Sequence, residues 1–171
     1  NWSKLKFVPF RVQPGENASC LNLYQTTLPT ILAIPDAAIR QFANEGRFKF
    51  IGMSAADGWN KLLEGSVNGP VPVLGDMNTL QYSLHVGPGQ NLKIRAENGE
   101  MVKVRIAGML DSSVFQGVLL MDERKFQRLF PSRVGYQYFL IEVSPASAVA
   151  VSELLESKLP VALVVAEHLE R

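Results

Sequence analysis

The fold is decided largely by residues 91–106, NLKIRAENGEMVKVRI. On both sides of Asn98-Gly99, apolar residues alternate with lysine and arginine. Period-two alternation is typical of a strand with one buried face, and Asn-Gly can supply the two positive-φ residues of a tight hairpin turn. The stretch therefore predicts an antiparallel β-hairpin with one apolar face and one basic face. The basic residues are Lys93, Arg95, Lys103 and Arg105.

Upstream of the hairpin, Val71–Leu74 predicts a short buried strand closed by Gly75. The next segment, Asp76–His85, is ambiguous because its leucines fit both a helical and an alternating pattern. We favour a helix, since an aspartate at the first position can act as its N-cap.

Downstream of the hairpin, strands and helices alternate. Val118–Met121 predicts a strand, followed by a helix that Asp122 caps and Pro131 ends. Tyr136–Val143 predicts another strand, and Ser144-Pro145 is typical of a helix start. The predicted buried stripe of this last helix is Val151, Leu154, Leu155 and Leu159, and a final strand is predicted at Val161–Val165.

The first third of the chain predicts shorter elements. Pro9, within the β-rich stretch 5–12, argues for an edge strand or two short pieces. The remaining predictions are a strand at Ser19–Tyr24, an apolar piece at Thr30–Ile34, a helix over 37–44 capped by Asp36 and followed by Gly46, a strand at 47–51, and a helix over 57–64.

Two successive strand–helix units and a final strand indicate an α/β sandwich of ferredoxin-like type. The middle of the chain is richer in strands and turns. We therefore predict an α+β fold, with one domain over residues 1–171 that contains two lobes. The ferredoxin-like lobe comprises residues 1–24 and 115–171, and the inserted strand-rich lobe comprises residues 25–114.

The composition is that of an ordinary globular domain, with 47 % apolar and 19 % charged residues. A net charge of +1 provides no overall field to attract nucleic acid. With a single cysteine, Cys20, the chain cannot form an intrachain disulfide. We predict no metal site and no cofactor.

Catalytic candidates are few. His168 lies three residues from the end, and His85 lies beside Gly87-Pro88-Gly89, where exposure to solvent is expected. A surface histidine is the favoured interpretation of His85, and a small buried side chain that of Cys20. The sequence predicts no catalytic residue and no enzyme activity.

The basic stripe of the hairpin allows two interpretations. It could contact phosphate groups, or it could be a solvated sheet face with Glu97 and Glu100 nearby to reduce its charge. The solvated face is favoured. Nucleic acid is not expected as a partner, because no aromatic residues that could stack on nucleobases alternate with the lysines and arginines of the stripe.

Several segments together resemble a known family. They are Leu74-Gly75-Asp76, residues 86–94, residues 102–108, Leu119–Met121, the helix with residues 126–130, and the strand 138–143 followed by Pro145. In this order they resemble the extracytoplasmic core domain of MacB-type and FtsX-like ABC transporter permeases. Residues 12–24 and 111–117 resemble segments of uncharacterised permeases of that class.

The resemblance implies a two-lobed domain between the first and second membrane helices of a permease, on the extracytoplasmic side of a bacterial inner or cytoplasmic membrane. The implied partners are the permease's own membrane helices, an ABC ATPase, a second permease copy (identical or not) and a periplasmic protein. No catalytic residue is carried over. The start at Asn1 and the absence of a signal peptide suggest an excised or processed piece.

Two other functions stay open at this point. A free-standing extracytoplasmic domain could capture a ligand or a protein. A small hydrolase could use His85, and it would require a serine or an acid within hydrogen-bonding distance of that histidine.

Overall fold

The computed structural model describes residues 6–15 and 28–158. Cys20, His168 and the strands predicted at Ser19–Tyr24 and Val161–Val165 lie outside these residues. The strands are β1 (Lys6–Gln13), β2 (Thr30–Ile34), β3 (Val71–Asp76), β4 (Asn91–Arg95), β5 (Met101–Leu110), β6 (Val118–Asp122) and β7 (Tyr138–Glu142). The helices are α1 (Asp36–Glu45), α2 (Ala55–Asn60), α3 (Glu123–Leu129) and α4 (Pro145–Lys158), with a π-helical turn at Thr79–Ser83.

The strands form a mixed sheet in the order β4-β5-β3-β6-β2-β1-β7. Strand β3 lies between a parallel neighbour, β5, and an antiparallel neighbour, β6. Strand β2 pairs in parallel with β6, and the pairs β1–β2 and β4–β5 are antiparallel. This architecture confirms the predicted α+β class. The predicted division into a ferredoxin-like lobe and an inserted lobe stays a prediction.

Two compact units can be distinguished in the chain. One comprises Pro9–Tyr138, and the other comprises the residues up to Val8 and those from Phe139 onward. No helix in the described part of either unit is long and apolar enough to span a membrane.

In the Pro9–Tyr138 unit, the central strands β2, β3 and β6 are buried on both faces. Phe126 of α3 and Phe130, directly after α3, pack against one face, in a cluster that also contains Val73 and Val104. On the other face Trp59 of α2 lies among aromatic rings, including those of Phe42, Phe48 and Phe50. Successive strand residues alternate between these two cores, as a pleated sheet requires.

The predicted starts of both helices between β2 and β3 need correction. Helix α1 begins at Asp36 itself, and the preceding Pro35 occupies the cap position; the Asp36 side chain binds Arg40 instead of a backbone N–H. Helix α2 begins at Ala55 with Ser54 as its cap, because the Ser54 hydroxyl accepts a bond from the Asp57 N–H. The predicted helix end at Gly46 is confirmed, with a left-handed φ of 63°.

The strand predicted at residues 47–51 is wrong. Phe50 makes a single bridge to Leu110, and Phe48 has a positive φ of 64°. The alternating aromatic residues of this segment do not line a strand face. The turn at Phe48 instead lets both rings reach Trp59, at 5.7 Å and 5.6 Å between centroids.

The hairpin is confirmed, but its turn is not the predicted one. Gly99 has a φ of 88°, whereas Asn98 has no positive φ. The N–H groups of Gly99 and Ala96 donate to the carbonyls of Ala96 and Glu100, respectively. This pattern fits a longer loop with one left-handed glycine, a common alternative to the two-residue turn.

Strand β1 continues through Pro9 as one strand and lies between β2 and β7 in the sheet. The prediction of an edge strand or two pieces is therefore wrong. Its register with β2 begins at Arg11, so Pro9 interrupts no bond of that ladder.

In the unit that contains Phe139 and the residues after it, α4 has no buried residue. The predicted buried stripe is therefore wrong within residues 145–158. Leu154 is 38 % exposed, whereas Val151 and Leu155 are half-buried. Only residues 6–8 and 139–142 of this unit form described strands, and so short a sheet cannot cover a helix of 14 residues.

Candidate functional site

The basic side of the hairpin is the most distinctive surface of the described chain. Lys93 lies directly opposite Lys103, Arg105 opposite Asn91, and Arg95 opposite Met101. All of these side chains are exposed. We call Lys93, Arg95, Lys103 and Arg105, with Met101, the basic face.

The orientation of the basic face is fixed by the other side of the hairpin. Ile94 and Val104 are buried in the core that contains Phe126, and Leu92 and Val102 pack against that core. A shift of one residue in register would bury the bases and expose these apolar residues. The hydrophobic core therefore holds the four bases together on one outer surface.

The acidic residues of the turn form no ion pair with the four bases. Glu97 accepts bonds from the Ser132 N–H and hydroxyl, and its own N–H donates to the Leu129 carbonyl. These contacts hold Glu97 against the segment that follows α3. None of the four bases makes an ion pair or a hydrogen bond with a described residue. The softening of this surface by the nearby charges of Glu97 and Glu100 stays a prediction.

Part of this arrangement has a structural explanation. Strand β4 is the terminal strand of the sheet. Charged side chains on such a strand discourage pairing with the edge of another molecule. One lysine on the edge would serve that purpose, however, whereas the second lysine opposite it costs folding free energy.

Reversing one charge is expected to stabilise the fold. In Lys103→Glu a repulsive pair becomes an attractive pair across the strands, which should raise the free energy of unfolding by about 0.2–1 kcal/mol. Urea unfolding followed by circular dichroism measures it. Arg105→Glu is the matched control, because Arg105 faces Asn91, and its gain should be smaller. A Lys103→Glu variant less stable than the wild type would contradict the expectation.

His85 has no catalytic surroundings. It is exposed, has a φ of 54°, and makes no hydrogen bond with any described residue. The nearby turn supports the hairpin instead, because the Gly89 N–H donates to the Ile106 carbonyl over 2.7 Å. No partner for a hydrolase mechanism is therefore brought to His85 within the described residues.

A groove between α1 and α3 is lined by acids and bases. Asp122 caps α3 through the N–H groups of Arg124 and Lys125. The hydrogen bond from Arg40 holds the pKa of Asp36 below its ordinary value, assisted by the charges of Arg40 and Arg124. Each of these contacts anchors a helix, so we assign the groove a structural role.

Lys125, in the same groove, ties α3 to the turns that follow α2. Its ammonium group donates to the carbonyls of Leu62 and Glu64. Burial lowers the pKa of Lys125, because the charged form loses hydration there. The two carbonyls are therefore the hydrogen-bond partners of this charge among the described residues.

The sequence interpretation missed one buried polar cluster. Asp76 is fully buried and accepts bonds from the Ser113 N–H and hydroxyl and from the Asn78 N–H. The Thr79 hydroxyl accepts a bond from the Gly117 N–H nearby. An aspartate directly after a buried strand, together with a later Ser-Ser pair, was the available signal. The bonds join two loops and leave no carboxylate oxygen of Asp76 free.

Across residues 6–15 and 28–158, no three histidine, cysteine, aspartate or glutamate side chains are grouped so that they could hold a metal ion. No protein-family model matches the chain, and no curated protein is significantly similar to it. The functional argument therefore rests on the residues and their geometry.

Proposed function

We propose that this chain is the extracytoplasmic domain of an ABC transporter permease, with the two-lobed arrangement of the MacB type. The observation that carries the proposal is the order of elements from β3 to α4. A buried strand, a helical turn, a basic-faced hairpin, a strand–helix pair, a strand and a proline-started helix follow one another. The segments that resemble the permease family lie in these elements.

In this function the domain would transmit movement and carry out no chemistry. Strand β3 is bonded to neighbours on both sides, and α2 and α3 bury aromatic side chains on opposite faces of the sheet. A close-packed interior of this kind resists deformation and transmits displacement. Motion driven by ATP hydrolysis across the membrane would then reach a substrate or a partner protein outside it.

The proposal names the partners that this role requires. They are the permease's own membrane helices, an ATPase on the cytoplasmic side, a second permease copy and an extracytoplasmic protein. It assigns no catalytic residue, no cofactor and no metal, and it places the domain outside the bacterial inner or cytoplasmic membrane.

The experiment uses the complete reading frame in its own host. Tyr82→Cys, in a Cys20→Ser background, places one thiol at a side chain that is 72 % exposed. A membrane-impermeant maleimide should label it in cells whose outer barrier has been opened but whose inner membrane is intact. The ATPase subunit should co-purify with the protein in mild detergent.

Val73→Cys, in the same background, is the matched control. Val73 is fully buried, so its thiol should react after denaturation only. Labelling of Tyr82→Cys only after cell lysis would contradict the proposal. If the maleimide labels the protein outside the inner membrane but the reading frame encodes no membrane helices on either side of this domain, the result would instead favour the free-standing binding domain.

A further inference from the structure

The basic face concentrates four positive charges that make no ion pair with a described residue. Lys93 and Lys103 are directly opposite each other, and Arg95 and Arg105 lie at neighbouring outward positions. Successive outward residues on a strand are roughly 6.6 Å apart, and adjacent strands roughly 4.8 Å apart. We propose that this face docks on the anionic phospholipid surface of a membrane.

The net charge of +1 does not weaken this inference. At physiological ionic strength the field of a charge is screened over about 8 Å, so an anionic surface senses the nearest charges and not the total. Glu97 and Glu100 lie in the turn at one end of the hairpin, and Glu97 is held by Ser132 and not by one of the four bases. The four bases therefore act together on a surface that approaches the hairpin.

The chemistry of the face favours phospholipid over other anionic partners. A surface that binds nucleic acid by stacking on its nucleobases needs exposed aromatic side chains. None stands at an outward position in strands β4 and β5. A specific protein interface would need a broader apolar centre. The apolar side chain here is Met101, 54 % exposed and opposite Arg95. Bases flanking an exposed apolar residue are typical of surfaces that lie at the headgroup boundary.

The inference does not rest on the permease assignment, because the face would bind an anionic bilayer with or without membrane helices in the rest of the protein. Failure of the labelling experiment and failure of the vesicle experiment below are therefore separate results.

The test is co-sedimentation of the 171-residue chain with vesicles. One set is phosphatidylcholine alone, and the other contains about one-third phosphatidylglycerol. Each base near an anionic surface is worth about fivefold in partitioning. Lys93→Glu with Lys103→Glu should therefore weaken binding to the anionic vesicles at least tenfold. The wild type should bind them in 50 mM NaCl, lose binding in 500 mM NaCl, and not bind phosphatidylcholine.

The control variant is Arg128→Glu with Lys158→Glu. It changes the net charge by the same amount at two exposed positions that are not part of the hairpin, and it should bind within twofold of the wild type. The hairpin variant keeps a like-charge pair at the same register position, so its unfolding midpoint should stay close to that of the wild type. Arg95→Gln with Arg105→Gln provides a second hairpin variant, should the first fail to fold.

Equal binding of wild type and hairpin variants to the anionic vesicles would overturn the proposal. So would wild-type binding that does not depend on phosphatidylglycerol. Binding to poly-glutamate, lost in the hairpin variants and without any binding to vesicles, would overturn it in favour of an acidic protein partner.

Discussion

Replacing Trp59 with alanine is expected to lower the free energy of unfolding by about 4–5 kcal/mol, a large part of the 5–15 kcal/mol typical of a domain. The Trp59 side chain is fully buried. Its ring lies 5.1 Å from that of Phe42, 5.7 Å from Phe48 and 5.6 Å from Phe50. The substitution leaves a cavity lined by rings that cannot all collapse into it.

The substitution of Trp59 also removes a hydrogen bond, which adds to the free-energy cost of the cavity. The indole Nε1–H donates to the carbonyl of Arg47 over 2.8 Å, next to the positive-φ residue Phe48. Without this donor, the turn at Phe48 loses one of the bonds that hold it. Unfolding by urea, followed by far-UV circular dichroism, measures the total.

Trp59→Phe separates the two contributions. It keeps most of the aromatic volume and removes the N–H, so its loss should be about 1–2 kcal/mol. Tyr82→Ala, at a side chain that is 72 % exposed, should change stability by less than about 0.5 kcal/mol. A Trp59→Ala variant within 1 kcal/mol of the wild type would show that the aromatic group contributes little to stability.

The elements that could be predicted from the sequence are those whose pattern and partners are local. The hairpin over residues 91–106 was predicted because alternation and turn residues lie within one short stretch. Helix α3 was predicted because its cap, Asp122, and its stop, Pro131, adjoin it in sequence. In both cases neighbouring residues contain most of the physical information.

The errors arose where a distant residue decides the local conformation. Phe48 and Phe50 alternate as in a strand, but their rings pack against Trp59 instead of lining a strand face. The same holds for the basic face. Its composition was predicted, whereas the bond that holds Glu97 to Ser132, 35 residues away, was not. No pattern within the hairpin reports that contact.

Asp76 is a further residue whose role depends on a partner distant in sequence, and its replacement is the second change for which we expect a large effect on stability. The bond from the Asn78 N–H is the predicted helix cap, and by itself it would be worth about 1 kcal/mol. The structure makes Asp76 the acceptor of three bonds, from the Ser113 N–H at 2.7 Å, the Ser113 hydroxyl at 2.9 Å and the Asn78 N–H at 3.0 Å. Bonds to a carboxylate are stronger than neutral ones, and each buried donor left without a partner carries its own penalty.

We therefore expect Asp76→Ala to lower the free energy of unfolding by about 3–4 kcal/mol. Asp76→Asn should lower it by about 2 kcal/mol, because its amide can keep one acceptor but presents N–H groups to the donors of Ser113. Asp57→Ala is the matched control. Its carboxylate is bonded to Ser54 at an exposed helix start, so its loss should not exceed about 1 kcal/mol.

The double variant Asp76→Ala with Ser113→Ala tests whether the two residues act as one unit. Ser113→Ala alone removes the hydroxyl bond to Asp76 and leaves the Phe115 N–H, 3.2 Å from that hydroxyl, without its acceptor. If the residues are coupled as the structure indicates, the double variant should be less destabilised than the sum of the single variants, by about 0.5–3 kcal/mol. An Asp76→Ala loss near 1 kcal/mol, additive with that of Ser113→Ala, would favour the helix cap. A loss near 3–4 kcal/mol that is not additive would establish Asp76 as the residue that fixes the segment after β5 against the π-helical turn.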